Sequence, residues 1–133
     1  MMLKEGLSHT SVLIVTEAYT AQALGSGDLP VLGTPAMLAL MENAAMLAVA
    51  NELEEGQTTV GGYLGASHVK PSKLGATVEA TATLTKVDRR KLSFHVVAKE
   101  NGCLLYTSSL LLQFAEDWLH QQWRKDRFLS IRQ

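Results

Sequence analysis

The chain has 133 residues, 47% of them hydrophobic, and its 13 acidic and 12 basic side chains leave a formal charge of −1. This length is enough for a core that needs no disulfides, so we expect a single domain over residues 1–133. A charge so close to neutral excludes the basic footprint of a nucleic-acid-binding protein and a polybasic membrane patch, and we expect neither partner.

The cysteine count and the N-terminus indicate the compartment. Cys103 is the single cysteine, which rules out an internal disulfide framework and is typical of a reducing environment. The opening residues, MMLKEGLSHTS, lack the apolar run of a signal peptide. We therefore expect a cytoplasmic protein.

The first element is a β-branched run at Ser11–Ala18, SVLIVTEA, which predicts a strand. It is followed by Tyr19–Gly33, where four glycine and proline residues predict an irregular loop. The fragment Gly25-Ser26-Gly27 in this loop has neither the third glycine of a dinucleotide fingerprint nor the Gly-Lys-Ser/Thr of a Walker loop. We interpret it as ordinary loop sequence.

A long helix is predicted at Thr34–Leu53, TPAMLALMENAAMLAVANEL, with Thr34 as its N-cap and Pro35 at the first helical position. Between residues 36 and 50 its only strongly polar side chains are Glu42 and Asn43. A helix that is apolar on nearly every face must be enclosed by the rest of its protein. A membrane span is rejected, because an intramembrane Glu beside an Asn is costly and basic flanks are missing.

Four strands are predicted after the helix. Thr58–Lys70 is rich in β-formers but is interrupted by glycines, which often mark a bulge or a close approach. Thr77–Val87 and Lys91–Glu100 alternate between apolar and polar residues, so each has one core face. The Asn101-Gly102 turn predicts a hairpin that leads into Cys103–Ala115, and the sheet is therefore antiparallel.

A C-terminal extension follows at about residues 116–133. It carries Trp118 and Trp123 and has the spacing of a short amphipathic helix. We expect the tryptophans to pack against the domain or a subunit partner.

Three polar residues stand where packing alone does not explain them: Thr34, Glu42 and His68. A carboxylate such as Glu42 in an apolar helix has to be paired, solvated by a pocket or protonated, and perturbed acids concentrate at functional sites. Its structural alternative is a carboxylate satisfied by backbone amides or an arginine. His68 is equally compatible with a surface histidine, and Thr34 with a helix cap that also offers free N–H groups to an oxyanion. No spacing of His, Cys or carboxylates indicates a metal site.

The order of strand, loop, long helix and four strands in meander order resembles the hot-dog fold, an α+β architecture. In that fold an antiparallel five-stranded sheet wraps one long central helix. The resemblance extends from Ser11 to about Ala115. It implies a homodimer with a shared sheet and with sites at the interface.

Two stretches are similar to a branch of this fold, the fluoroacetyl-CoA thioesterase-like proteins: GTPAMLALMENAA (Gly33–Ala45) and VGGYLGASHVKPSKLG (Val60–Gly75). The resemblance implies a catalytic set of Thr34, Glu42 and His68. It also implies that Gly61, followed here by Gly62, contributes backbone at the substrate thioester.

The last strand departs from that family, which has a His-x-Arg there. Counting from the Asn101-Gly102 turn places Ser109 and Leu111 at those positions. The function of that pair is therefore not performed in the same way in this chain. The C-terminal extension with its two tryptophans also differs.

The leading hypothesis is hydrolysis of an acyl-CoA or related thioester, with coenzyme A as part of the substrate and no cofactor. The alternative is a non-catalytic acyl-CoA-binding or interaction protein on the same fold. A hot-dog hydratase is a third reading, although no Asp and His stand a few residues apart on a loop and helix. The basic candidates for the CoA phosphates are Lys70, Lys73, Arg89, Arg90 and Lys91, which a solvated surface would equally explain.

The spacing of Thr34 and Glu42 along one helix limits how the proposed catalytic residues can be arranged. Eight residues of one helix separate Thr34 from Glu42 by about 12 Å of rise, so direct contact is not expected. Three arrangements remain open: Thr34 lies in the loop before the helix, His68 bridges the two, or the set is assembled across a dimer.

Overall fold

A computed structural model describes residues 3–68 and 70–114. The strands are β1 (Ser8–Ile14), β2 (Thr59–His68), β3 (Thr77–Asp88), β4 (Lys91–Glu100) and β5 (Cys103–Phe114), and the helices are α1 (Ala21–Leu24) and α2 (Thr34–Ala50), with a 3₁₀ turn at Glu17–Tyr19. The five strands form one antiparallel sheet in the order β1-β3-β4-β5-β2. The predicted hot-dog architecture is confirmed.

The strand order corrects one expectation. Strands β3, β4 and β5 form a meander, but β2 pairs with β5 rather than with β3, so β1 and β2 are the two edges. Both β1 and β2 therefore have one side without a strand partner in the described part of the chain. The first strand also begins earlier than predicted and ends at Ile14 rather than Ala18.

The core lies between the sheet and α2. The alternating apolar residues of β3 and β4 face it as predicted: Val78, Ala80, Ala82 and Leu84, then Leu92, Phe94, Val96 and Ala98. His95 is exposed on the outer face, also as predicted. Helix α2 contributes seven buried side chains, among them Met37, Met41 and Val49.

Helix α2 starts where the sequence predicts but is capped differently. Gly33 is the N-cap and makes no side-chain cap hydrogen bond, so Thr34 is the first helical residue and not the cap. A side chain at Gly33 would clash, because its Cβ would lie 2.9 Å from Leu24 Cδ1. The predicted loop thus contains a short helix, α1, against which the start of α2 is packed.

The helix ends at Ala50, three residues before the predicted end, and it is not enclosed on every side. It lies closest to β1 and β3. The side chains of Ala39, Asn43, Met46 and Leu47 are exposed along the helix. No helix in residues 3–68 and 70–114 has the length and apolarity needed to cross a bilayer. The predicted C-terminal helix, with Trp118 and Trp123, lies outside the described residues.

Candidate active site

Glu42 lies on the side of α2 that β1 and β3 leave uncovered. Its side chain is half-buried, at a groove of about 320 Å³ that is lined by Ala39, Glu42, Asn43, Met46, Thr59, Gly61 and Leu112. The groove leaves the carboxylate open to solvent on a helix that is otherwise apolar.

Gly61 lies directly against this carboxylate. A Cβ built on Gly61 would overlap Glu42 Oε2, so only glycine lets β2 approach the carboxylate this closely. The register of β2 against β5 shifts between Gly61 and Tyr63, which places a bulge at Gly62. The bulge predicted from the glycines is therefore confirmed, and it lies beside Glu42.

Asn43, next to Glu42, ties the helix to the first strand. Its Oδ1 accepts a hydrogen bond of 2.7 Å from the buried Ser11 hydroxyl. This contact holds the middle of α2 at a fixed height above β1. This contact joins segments 32 residues apart in sequence, and no local pattern predicts it.

Thr34 lies at the other end of the site. Because Gly33 caps the helix, the Thr34 side chain is available for another contact, and it hydrogen-bonds the Tyr106 side chain. Tyr106 is 3% exposed. Burial raises the pKa of its phenol above the usual value, and the hydrogen bond with Thr34 partly opposes that rise in pKa. Tyr106 therefore stays protonated at neutral pH.

His68 is placed by backbone register. It is the last residue of β2, and its Cα pairs with that of Tyr106 on β5. The backbone of His68 thus lies at the end of the sheet where Tyr106 contacts Thr34.

The predicted set therefore divides between two places in one chain. Gly61 and His68 are seven residues apart on β2, about 23 Å at roughly 3.3 Å per residue. Glu42 lies at the Gly61 end, and Thr34 lies at the Tyr106 end. Since Thr34 is in the helix, the arrangement with Thr34 in the preceding loop is excluded.

The expectation for β5 needs a correction. The register of β4 against β5 shifts between Ala98 and Lys99, so Leu105 is an extra residue in β5. This bulge moves every later residue to the opposite face. Ser109 and Leu111 consequently lie on the outer face, and the residues that face α2 are Tyr106, Ser108, Leu110 and Leu112.

Tyr106 is the residue that sequence reasoning missed. A regular strand that starts at the Asn101-Gly102 turn, with no bulge, would place Tyr106 on the outer face of the sheet. The adjacent Leu104 and Leu105 were the only available sign of an irregularity. Among the described residues, no three His, Cys, Asp or Glu side chains are grouped to hold a metal ion.

Comparisons with known proteins identify the family and the fold. Residues 15–108 match the family model described as fluoroacetyl-CoA-specific thioesterase, FlK. A fluoroacetyl-CoA thioesterase from Streptantibioticus cattleyicolor is 37% identical over 70 residues. That match covers 53% of this chain and 50% of the relative, so it spans about half of the relative's length.

Solved structures show the same fold. The fluoroacetyl-CoA thioesterase FlK superposes with a TM-score of 0.85 at 25% identity, covering 94% of this chain and 98% of that one. A thioesterase superfamily member from Thermus thermophilus gives 0.84 at 24% identity, covering 96% of each chain. A hot-dog-like protein from Thermanaerovibrio acidaminovorans gives 0.80 at 21% identity, covering 93% and 92%. The family match spans most of the chain and includes Thr34, Glu42, Gly61 and His68, and the chain therefore belongs to the fluoroacetyl-CoA-specific thioesterase family.

Proposed function

We propose that this protein hydrolyses an acyl-CoA or a closely related thioester. The observation that carries the proposal is the half-buried Glu42 carboxylate, held against Gly61 at an open groove in a chain of a thioesterase family. A carboxylate that water can reach, on a helix that is otherwise apolar, suits general-base chemistry.

Glu42 acts as general base or positions the attacking water. The water oxygen adds to the thioester carbonyl carbon, and its proton passes to the carboxylate. The C–S bond then breaks, and the CoA sulfur leaves and takes up a proton. The Gly61–Gly62 backbone polarises the carbonyl, a role supported by the bulge, because a bulge leaves its extra residue outside the ladder.

Thr34 and His68 form the second part of the set. Thr34 is the first residue of α2, at the helix end whose dipole favours negative charge. We assign it to hold water or to attack as nucleophile, with His68 as acid, base or charge partner.

A homodimer completes the site in this proposal. Glu42 and Gly61 of one chain would meet Thr34 and His68 of a second, which resolves the separation of about 23 Å along β2. The surface beside Glu42 supports this pairing. Met46 and Leu47 of α2 are each 39% exposed, Tyr63 of the neighbouring edge strand β2 is 64% exposed, and a second copy would cover them.

The remaining features of the proposal concern substrate and compartment. A solved structure of a variant of the neighbour FlK is in complex with fluoroacetate and CoA, which supports coenzyme A as the carrier of the acyl group here. We propose that no further cofactor takes part and that the protein works in the cytoplasm. The single cysteine, exposed at Cys103, is consistent with a reducing compartment.

Release of CoA thiol from a panel of acyl-CoA substrates tests this function. We expect turnover by the wild-type protein that depends on acyl-CoA concentration. Calorimetric binding of acyl-CoA without thiol release would instead establish the non-catalytic alternative. Hydration of an enoyl-CoA without thiol release would establish a hydratase.

A further inference from the structure

The turn between β3 and β4 has a composition that its geometry does not require. Arg89 and Arg90 form this two-residue connection, and Arg89 has a φ of 56°. Residues without a special tolerance for positive φ are disfavoured there, and asparagine and glycine are preferred. The next hairpin in the same chain uses that preferred pair, Asn101 and Gly102, with φ of 50° and 83°. Turn formation alone therefore does not account for the arginines.

The turn concentrates positive charge around a cavity. A space of about 430 Å³ is lined by Asp88, Arg89, Arg90, Lys91 and Gln113. Three of the chain's 12 basic residues thus line one cavity, and Asp88 is the single carboxylate among its lining residues in the described part of the chain, although the whole chain has a charge of −1. The guanidinium fork of arginine matches phosphate geometry, and lysine binds phosphate as a point charge. This local chemistry suits a ligand with several phosphates.

The cavity and the Glu42 groove lie at the same end of the sheet. Gln113 of β5 pairs with Lys91 on one side and with Val60 on the other. The adjacent Leu112 pairs with Gly61 and lines the groove. Lys91 is therefore two strand spacings from β2, about 10 Å at roughly 4.8 Å per spacing. Lys91 and Gln113 alternate with the buried Leu92 and Leu112, so they lie on the outer face of the sheet, and a ligand that fills both cavities passes round the end of the sheet at the Arg89-Arg90 turn.

We propose that Arg89, Arg90 and Lys91, with Gln113, bind the phosphates of the CoA nucleotide while the thioester lies in the Glu42 groove. This inference rests on the proposed thioester hydrolysis, since it assigns the other end of the same substrate. An acyl-CoA carries its thioester and its phosphates at opposite ends of a flexible arm, and the two cavities match those two ends. Lys70 and Lys73, the other basic candidates, are not among the residues that line this cavity.

Two substrates with the same acyl thioester, one of which lacks the nucleotide and most of the pantetheine arm, test the assignment. We would compare Arg89→Asn and Arg90→Gln with the wild type on butyryl-CoA and on the butyryl thioester of N-acetylcysteamine, which has no phosphates. Asparagine accepts the backbone conformation of Arg89, so the turn is preserved. Lys99→Gln is the matched control, because it removes one exposed positive charge at the far end of β4.

We expect each arginine variant to raise KM for butyryl-CoA by about tenfold with little change in kcat, as loss of a charged hydrogen bond implies. KM for the truncated thioester should not change, and Lys99→Gln should behave as wild type on both. An unchanged KM for butyryl-CoA in both arginine variants would overturn the inference. An equal rise in KM on the truncated thioester would overturn it too.

Calorimetric titration with CoA separates this inference from the proposed function. If the wild type hydrolyses neither thioester but binds CoA with an affinity that the arginine variants lower, the proposed hydrolysis fails and the phosphate site stands. If the wild type hydrolyses butyryl-CoA and the arginine variants bind CoA as tightly as it does, the phosphate site fails and hydrolysis stands.

Discussion

Gly61 shows how one missing side chain sets the position of the Glu42 carboxylate, the base that we propose. The Glu42 carboxylate occupies the space that a Cβ at residue 61 would fill. A side-chain end can swing away, so the fold tolerates an added methyl group while the carboxylate does not keep its place.

For Gly61→Ala we expect a folded protein whose turnover falls by about 10²-fold, because a displaced base loses its alignment. Gly62→Ala is the matched control. A Cβ at Gly62 would meet only Leu111 atoms at 3.5 Å, an ordinary contact distance. The check is kcat together with the melting temperature of both variants. Wild-type turnover in Gly61→Ala would show that the close approach is not needed.

Tyr106 makes a hydrogen bond that a phenylalanine would lack. Tyr106→Phe keeps the buried ring but loses the contact with Thr34, which remains accessible to water. We expect the free energy of unfolding to fall by about 1 kcal/mol, as measured by urea denaturation at pH 8. An unchanged free energy of unfolding would mean that the hydrogen bond adds nothing to stability.

The same variant gives a pH dependence with a defined sign. Burial raises the pKa of Tyr106 above 10.0 in the folded state, so the folded state holds this proton more tightly than the unfolded chain does. The wild type should lose stability as pH rises above 10.0 toward the folded pKa, a loss that Tyr106→Phe lacks. The difference in the free energy of unfolding between the wild type and Tyr106→Phe should therefore narrow as the pH rises above 10.0.

Among the elements, the sequence predicted the start of the central helix and the bounds of β3, β4 and β5 to within one residue. Alternation and the Asn101-Gly102 turn are local signals, and the core faces of β3 and β4 followed from them. The pairing of β2 with β5 and the extra residue at Leu105 depend on contacts between distant segments. No local pattern encodes them, so a register counted from the turn did not predict that Tyr106 faces the helix.

The composition of β5 affects which acyl groups the proposed site prefers. Its described residues include no histidine or arginine, and Leu112 faces the groove. We expect no preference for fluoroacetyl-CoA over acetyl-CoA, because small substituents in apolar pockets change binding by only about 1–3 kcal/mol. Longer acyl groups should give higher kcat/KM. The measurement compares fluoroacetyl, acetyl, butyryl and hexanoyl thioesters. A strong preference for fluoroacetyl-CoA would show that other residues supply the discrimination.

In the whole molecule, a single copy holds the proposed catalytic residues in two separate places. Joining them through a second copy predicts a homodimer in dilute solution. Light scattering at micromolar concentration checks this, and a monomer would contradict it.

A heterodimer of Glu42→Gln and Thr34→Val subunits tests the shared site more sharply. Each homodimer should be nearly inactive. The heterodimer, purified through two different tags, contains one intact site of two and should recover about half of the wild-type turnover per dimer. A heterodimer as inactive as its parents would place the whole set within one chain.

If Glu42 supplies the base for thioester hydrolysis, as we propose, Glu42→Gln should lower kcat for CoA release. Glu79→Gln makes the same chemical change at an exposed carboxylate on the outer face of β3 and is the control. We expect a loss of about 10²-fold or more for Glu42→Gln, wild-type turnover for Glu79→Gln, and unchanged melting temperatures for both. Wild-type turnover by a fully folded Glu42→Gln protein would show that Glu42 is not the base.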